Sequence, residues 1–170
     1  AGLIIIIEAL KRTKSKSTIY AVATVQEEVG LKGAKVAAFN LDPDVAIAAD
    51  VTIPGDHPGI EKKDASVEMS KGPVVVAADG SGRGLIATPQ IIEWMVGTAR
   101  EFEIPIQIEA SDGGTTDATS IYLTKSGIPT GVVSVAARYI HSPVEVLSIS
   151  DIDRAADLVA RCLETVGRYF

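Results

Sequence analysis

Pro73-Val74-Val75-Val76-Ala77-Ala78, then Thr88-Pro89, then Ile104-Pro105-Ile106-Gln107-Ile108-Glu109 decide the fold. Three consecutive β-branched valines favour a strand over a helix. Thr88-Pro89 is a helix start, a hydroxyl N-cap with proline at the first helical position, and the apolar pattern carries that helix to about Phe102. Ile104 to Glu109 is again a strand, with proline near its start. A strand, a helix of more than ten residues and another strand make a crossover unit. Such units imply a parallel or mixed sheet with helices on both faces.

The same alternation extends both ways. Downstream, Thr116 to Lys125 reads as a helix ended by Gly127 and Pro129, Thr130 to Val135 as a strand, and Val144 to Ser148 as a short extended segment. Ser150-Asp151-Ile152-Asp153 resembles a capping box with Asp in place of Glu and opens a helix to about Tyr169. Upstream, Leu3 to Lys14 reads as a helix whose basic last turn (Lys11, Arg12, Lys14) suits the helix dipole. Ser17 to Val25 reads as a buried strand, Gly33 to Phe39 as a short helix and Val45 to Val51 as a second buried strand. Thr52 to Lys71 turns polar, a loop with room for one edge strand. No repeat or linker interrupts the pattern, so the expectation is one α/β domain.

Composition agrees. The 170 residues are 46% hydrophobic and 22% charged, enough for one core, and a mean hydropathy of +0.25 excludes a disordered chain. Sixteen basic and 22 acidic residues give a net charge of −6 with no basic stripe, which argues against nucleic acid as a partner. The single cysteine, Cys162, excludes a disulfide framework and a cysteine-rich zinc site, and a cytoplasmic location is the default. The apolar run Leu3 to Ile7 falls far short of the roughly 20 residues of a membrane span, and no basic segment precedes it as in a signal peptide. The chain opens at Ala1-Gly2, without an initiator methionine and without a capping residue before its first helix, and reads as one whose natural beginning is missing.

In open α/β sheets, functional residues gather beyond the carboxyl ends of strands. Gln26-Glu27-Glu28 follows the apolar run ending at Val25, Asp50 ends the next strand, Asp112-Gly113-Gly114-Thr115-Thr116-Asp117 follows the strand ending near Glu109, and His141 follows the last long strand. Adjacent carboxylates at an apolar strand end are costly if buried and unpaired. Two arrangements account for them. One carboxylate binds a divalent metal while the other takes a proton from water, or both sit in solvent and pair with Lys32 or Lys35. Asp50 equally suits a turn cap, and His141 a loop histidine. With only two histidines, a histidine-rich metal site is excluded, and His57, between Asp56 and Pro58, is taken as a non-ligand. Gly80-Ser81-Gly82-Arg83-Gly84 invites a phosphate-loop reading but lacks G-x-G-x-x-G spacing and a Walker lysine, so a flexible loop is expected. There is no G-x-S-x-G elbow and no H-E-x-x-H.

Four ordered strings carry a family resemblance. They are Thr24-Val25-Gln26-Glu27-Glu28-Val29-Gly30-Leu31-Lys32-Gly33-Ala34, Ala49-Asp50-Val51-Thr52, Asp112-Gly113-Gly114-Thr115-Thr116-Asp117-Ala118, and Ile128-Pro129-Thr130-Gly131-Val132 leading to Arg138-Tyr139-Ile140-His141-Ser142-Pro143. The chain resembles, from end to end, the di-metal aminopeptidases that assemble into tetrahedral (TET) particles, also labelled deblocking aminopeptidase, glutamyl aminopeptidase or endoglucanase. The resemblance implies the three-layer α/β/α sandwich with a mixed sheet shared by zinc exopeptidases. It implies Glu27 as general base, Glu28 and His141 as ligands of one metal, and Asp50 as a ligand of the other. It implies two divalent ions, zinc or cobalt, as cofactors, and a substrate wall at Gly113, Gly114, Thr115 and Asp117. Peptides would be substrates, and the partners would be further copies, in a dodecamer built from dimers.

The family also carries an earlier His-x-Asp motif, a bridging aspartate in an Asp-Asp-Arg or Asp-Asn-Arg string, and an inserted β-barrel domain. None is in this sequence. Residues 1–170 are therefore expected to be the C-terminal part of such a catalytic domain, inactive on its own. A non-catalytic assembly module is the alternative. A nucleotide-binding domain using the Gly80 loop is a weaker one, for want of an acidic residue at a second strand end to hold a ribose.

Overall fold

The computed structural model describes residues 1–61 and 63–170. Helix α1 (Gly2–Arg12) leads to α2 (Lys32–Leu41), strand β1 (Ala46–Thr52), strand β2 (Val74–Ala78), α3 (Pro89–Glu101), β3 (Gln107–Ala110), α4 (Ala118–Tyr122), β4 (Thr130–Arg138), β5 (Val146–Leu147) and α5 (Ile149–Thr165). The sheet order is β1-β4-β2-β3, with β5 paired to β4. β1 runs parallel to β4, β2 parallel to β3, and β2 antiparallel to β4. The fold is thus the α/β architecture with a mixed sheet expected from the sequence.

Two cores flank the sheet, because successive strand side chains point to opposite faces. Val75, Val133 and Val135 pack with Ile5 and Ala9 of α1, with Ile91, Trp94 and Met95 of α3, and with Ala155 and Leu158 of α5. Their neighbours Val74, Val76 and Val132 face the other way, with Ala48, Leu85 and Ala118. Helices therefore cover one face, and α2 and α4 lie against each other on the second, with α4 against β1 and β4. Two glycines set the spacing on the first face. A Cβ on Gly2 would lie 2.2 Å from the Ala49 carbonyl oxygen, and one on Gly131 would lie 2.5 Å from Met95 Sδ.

The local signals hold where the chain can act alone. Thr88 caps α3, its side chain accepting from the Ile91 amide, with Pro89 at the helix start. Arg12, in the last turn of α1, reaches Asp153 at 2.7 Å and Asp157 at 2.8 Å, which ties α1 to α5 and raises the guanidinium pKa further above its ordinary value.

Two expectations fail, at Ser17 to Val25 and at the start of α5, and two are refined. Ser17 to Val25 is not a buried strand: it has no ladder partner among the described residues, and Tyr20 and Val25 are 57% and 67% exposed. A β-branched run becomes a strand only when a neighbour takes up its backbone groups, and none of the five strands lies beside it. The stretch from Thr52 to Lys71 holds no edge strand beyond the end of β1 among its described residues. The Gly80 loop is a hydrogen-bonded 3-10 turn, with Gly84 anchored by the Tyr122 hydroxyl at 2.9 Å. Ser150 and Asp153 form no capping box: α5 starts at Ile149 without a side-chain cap. Asp151 is instead fully buried and accepts from the Ser70 and Gly72 amides at 2.7 and 3.0 Å. Two amides, that of Gly72 buried and that of Ser70 partly so, hold that carboxylate more firmly than a helix terminus in solvent would.

Candidate functional site

The sheet face away from α1, α3 and α5 forms the floor of a cleft of about 590 Å³. The strand register places its residues. Asp50 of β1 stands opposite Ser134 of β4, Ser134 opposite Val74 of β2, and Val76 of β2 opposite Glu109 of β3. Thr52, two residues beyond Asp50 and so on the same face, donates its hydroxyl to Glu109, with Oε1 and Oε2 at 3.0 and 2.8 Å.

Glu27 and Glu28 reach the cleft from a turn, not from a strand end as the sequence suggested. The turn uses left-handed residues at Gln26 (φ 58°) and Leu31 (φ 54°) and closes with the Gly33 amide donating to the Val25 carbonyl at 3.0 Å. A Cβ on Gly33 would lie 2.4 and 2.5 Å from the Val25 backbone oxygen and nitrogen, so only glycine lets α2 start against this turn.

His141 sits in the turn after β4 in a left-handed conformation (φ 64°), its amide donating to Glu145 Oε1 at 3.1 Å. Its Nε2 lies 3.1 Å from Glu28 Oε2. Both side chains are about 70% exposed, and such a pair contributes little to stability in water. Neither Lys32 nor Lys35 pairs with Glu27 or Glu28 among the described residues. His57, taken as a non-ligand, has Nδ1 2.8 Å from the Pro58 carbonyl and its ring against Tyr139.

Glu27, Glu28, Asp50 and His141 thus line one cleft, as do Gly113, Gly114 and Thr115. Asp117 stands behind that wall, with Oδ2 accepting from the Thr24 hydroxyl at 2.5 Å and Oδ1 buried without a partner. The carboxylates act on one another. Burial first, then the charges of Asp50, Glu28 and Asp117, push Glu27 up to about 7, against a smaller opposing effect of His141. Burial also holds Asp50 above the ordinary carboxyl range despite the bond from the Val51 amide. A carboxyl poised near neutrality can both accept and return a proton. Among the described residues, no group of three or more His, Cys, Asp or Glu side chains is arranged to hold a metal ion.

Sequence reading passed over Asp79 and Glu109, each 4% exposed and both on the cleft wall. Each is an acidic residue closing an apolar strand, the signal that singled out Asp50.

This arrangement is that of an α/β domain with a mixed sheet and a carboxylate-rich cleft, and comparison with known proteins specifies it. The M42 glutamyl aminopeptidase profile matches residues 1–158, and the chain belongs to that family. A relative from Acetivibrio thermocellus is 42% identical over 164 residues, covering 96% of this chain and 48% of its own length. The aminopeptidase APDkam598 of Desulfurococcus kamchatkensis superposes with a TM-score of 0.92 at 44% identity, over 96% of this chain and 46% of its own. The Pyrococcus horikoshii TET1 peptidase, which can assemble into a tetrahedron or a large octahedral shell, aligns at 32% identity and a TM-score of 0.64, over 81% of this chain and 38% of its own. The chain therefore spans about half the length of the relatives it matches most fully.

Proposed function

We propose that residues 1–170 are the C-terminal part of the catalytic domain of a metal-dependent aminopeptidase that removes N-terminal residues from peptides. The observation that carries the reading is the approach of His141 Nε2 to Glu28 Oε2, 3.1 Å apart, in the cleft that also holds Glu27 and Asp50. Among the described residues, no lysine or arginine lines the cleft. Asp50, Glu28 and Asp117 act on Glu27 against His141, Asp117 and Glu28 act on Asp50 against the Ala1 ammonium, and Asp117 Oδ1 has no donor. Oxygen donors with one imidazole suit zinc or cobalt. Glu28 and His141 would hold one ion and Asp50 would contribute to a second. When bound, such ions supply Lewis acidity that makes water a nucleophile at neutral pH.

The chain's own residues do the rest. Glu27 takes the proton from the attacking water on its carboxylate and returns it to the leaving amine. Gly113, Gly114 and Thr115 border the path of the peptide, and Asp117 holds the Thr24 side of the Glu27 turn. Self-association is part of the proposal, as a dodecamer built from dimers, on the strength of the assembling P. horikoshii relative. A cytoplasmic location fits the lone buried cysteine. Among the described residues no helix is long and apolar enough to cross a membrane.

A second reading, a module that keeps the fold without turnover, is favoured by one observation: no three-donor group occurs among the described residues. One experiment separates the two. The complete polypeptide and the 170-residue chain are assayed with leucyl p-nitroanilide, with zinc or cobalt and after chelation. The complete enzyme is expected to hydrolyse it only with metal and the chain alone not at all. Glu27→Gln in the complete enzyme is expected to keep metal binding and lose about 10²- to 10⁴-fold in turnover. Activity within about threefold of wild type removes Glu27 from the role of base.

A further inference from the structure

We infer that Asp56 and His57 are positioning residues for His141, bracing the turn after β4 from outside the cleft through Arg138 and Tyr139. This rests on the reading of His141 as a metal ligand and names what holds that ligand in place.

The turn needs holding. β4 and β5 pair at Ala137 with Leu147 and at Arg138 with Val146, so the loop 139–145 hangs from a short ladder. Within it Tyr139 (φ 61°) and His141 (φ 64°) are both left-handed, a conformation that crowds Cβ against the following carbonyl oxygen. Such residues persist only where their surroundings determine them. Inside the loop, the Ser142 amide donates to the Tyr139 carbonyl at 3.1 Å, the Val144 amide to the Ser142 hydroxyl at 3.3 Å and the His141 amide to Glu145 Oε1 at 3.1 Å. Glu145 is exposed, so water competes for that last bond.

Two further contacts arrive from the loop after β1. Arg138 Nη2 lies 2.6 Å from Asp56 Oδ2. The His57 ring stands edge-on against that of Tyr139, with centroids 4.8 Å apart and planes at 61°. Asp56 and Arg138 are both half-buried, and such a pair is screened less than one in open water. The loop that carries Asp56 and His57 is itself fixed. Pro54 and Gly55 are buried, and the Gly55 amide donates to the carbonyl of the buried Val67 at 2.8 Å. The parallel pairing of β1 with β4 sets the two loops side by side at one end of the sheet.

Arg138 and Tyr139 are consecutive and directly precede Ile140 and His141. Holding a charged head and a ring on adjacent residues fixes the direction in which the backbone enters the His141 turn. Asp56, His57, Arg138 and Tyr139 are absent from the cleft wall, whereas Ile140, His141 and Glu145 lie on it. The four therefore act behind the ligand and not on substrate. His57 contributes its ring face and edge, since its Nδ1 is turned to the Pro58 carbonyl at 2.8 Å.

The test uses the complete enzyme. Chelator-competition titration with zinc reads the ligand. Amide exchange over 139–145 in the metal-free protein, followed by mass spectrometry, reads the turn. Asp56→Ala and His57→Ala are each expected to weaken zinc binding about tenfold, as loss of a group that supports a ligand does, and to speed exchange over 139–145 while leaving α3 unchanged. His57→Phe, which keeps a ring, is expected to bind zinc as wild type does. Adding Asp56→Ala to His141→Ala is expected to cost no more than about a further twofold, because the brace then has no ligand to position. Unchanged zinc affinity in either alanine variant overturns the inference. So does a loss from Asp56→Ala that persists in full beside His141→Ala, or a His57→Phe defect as large as that of His57→Ala. If Asp56→Ala does not fold, the two His57 variants still decide. If His141→Ala itself leaves zinc affinity unchanged, the ligand reading falls, and exchange over 139–145 alone decides whether Asp56 and His57 hold the turn.

Discussion

Glu28 and His141 meet side chain to side chain, Oε2 to Nε2 at 3.1 Å, although one sits on the turn before α2 and the other on the turn after β4. The parallel pairing of β1 with β4 brings these distant segments to one end of the sheet. If the pair shares one ion, Glu28→Ala and His141→Ala should each weaken zinc binding by more than the roughly 10- to 100-fold typical of groups that only support a ligand. The double variant should be little worse than the weaker single, because both remove the same ion. Chelator-competition titration measures all three, and fully additive losses would mean that the two residues act on different ions.

Asp79 and Glu109 set a pH dependence of stability. Burial raises both carboxyls above their ordinary values, about 4 in an unfolded chain. Between the unfolded and folded values the native state binds more protons, so stability falls as pH rises. Their contribution is fully present below about pH 4 and is lost as pH climbs through the folded values. Urea midpoints of the metal-free chain should be higher at pH 5 than at pH 8, and the Asp79→Asn, Glu109→Gln double variant should flatten that slope. Asp56 and Glu164, which are lowered, act with the opposite sign only in more acidic solution.

Asp151 is a structural anchor. Its carboxylate takes the Ser70 and Gly72 amides at 2.7 and 3.0 Å at a fully buried position. Asp151→Ala leaves both without an acceptor. With roughly 1.5–3 kcal/mol for a hydrogen bond to a charged group, the loss should be about 3 kcal/mol. At about 2–4 °C per kcal/mol for a chain of this size, calorimetry should show a fall in Tm of about 6–12 °C. A capping role at the exposed start of α5 would cost only about 1 kcal/mol.

Gly33→Ala should couple stability to function. Its Cβ would press on the Val25 backbone at 2.4 Å, and backbone cannot rotate away as a side chain can. A cost of about 1–3 kcal/mol is expected from the overpacking. Because the displaced turn carries Glu27 and Glu28, zinc affinity should fall as well. An alanine variant with normal zinc affinity would show that the turn does not position the pair.

The sequence by itself determined the elements whose causes are local. The valines of β2, the Thr88-Pro89 start of α3 and the basic last turn of α1 need nothing beyond their neighbours in the chain, and each stands as read. Motif order likewise pointed to Glu27, Glu28, Asp50 and His141, which line one cleft. Tertiary structure alone decided whether an apolar run would find a strand partner, and Ser17 to Val25 did not, because a ladder needs the backbone of a second segment. It made Asp151, an interior position of the expected capping box, a buried acceptor by bringing Ser70 and Gly72 against it. It also placed Asp79 and Glu109 beneath the cleft, because burial is a property of what surrounds a carboxyl and is written nowhere in its own stretch of chain.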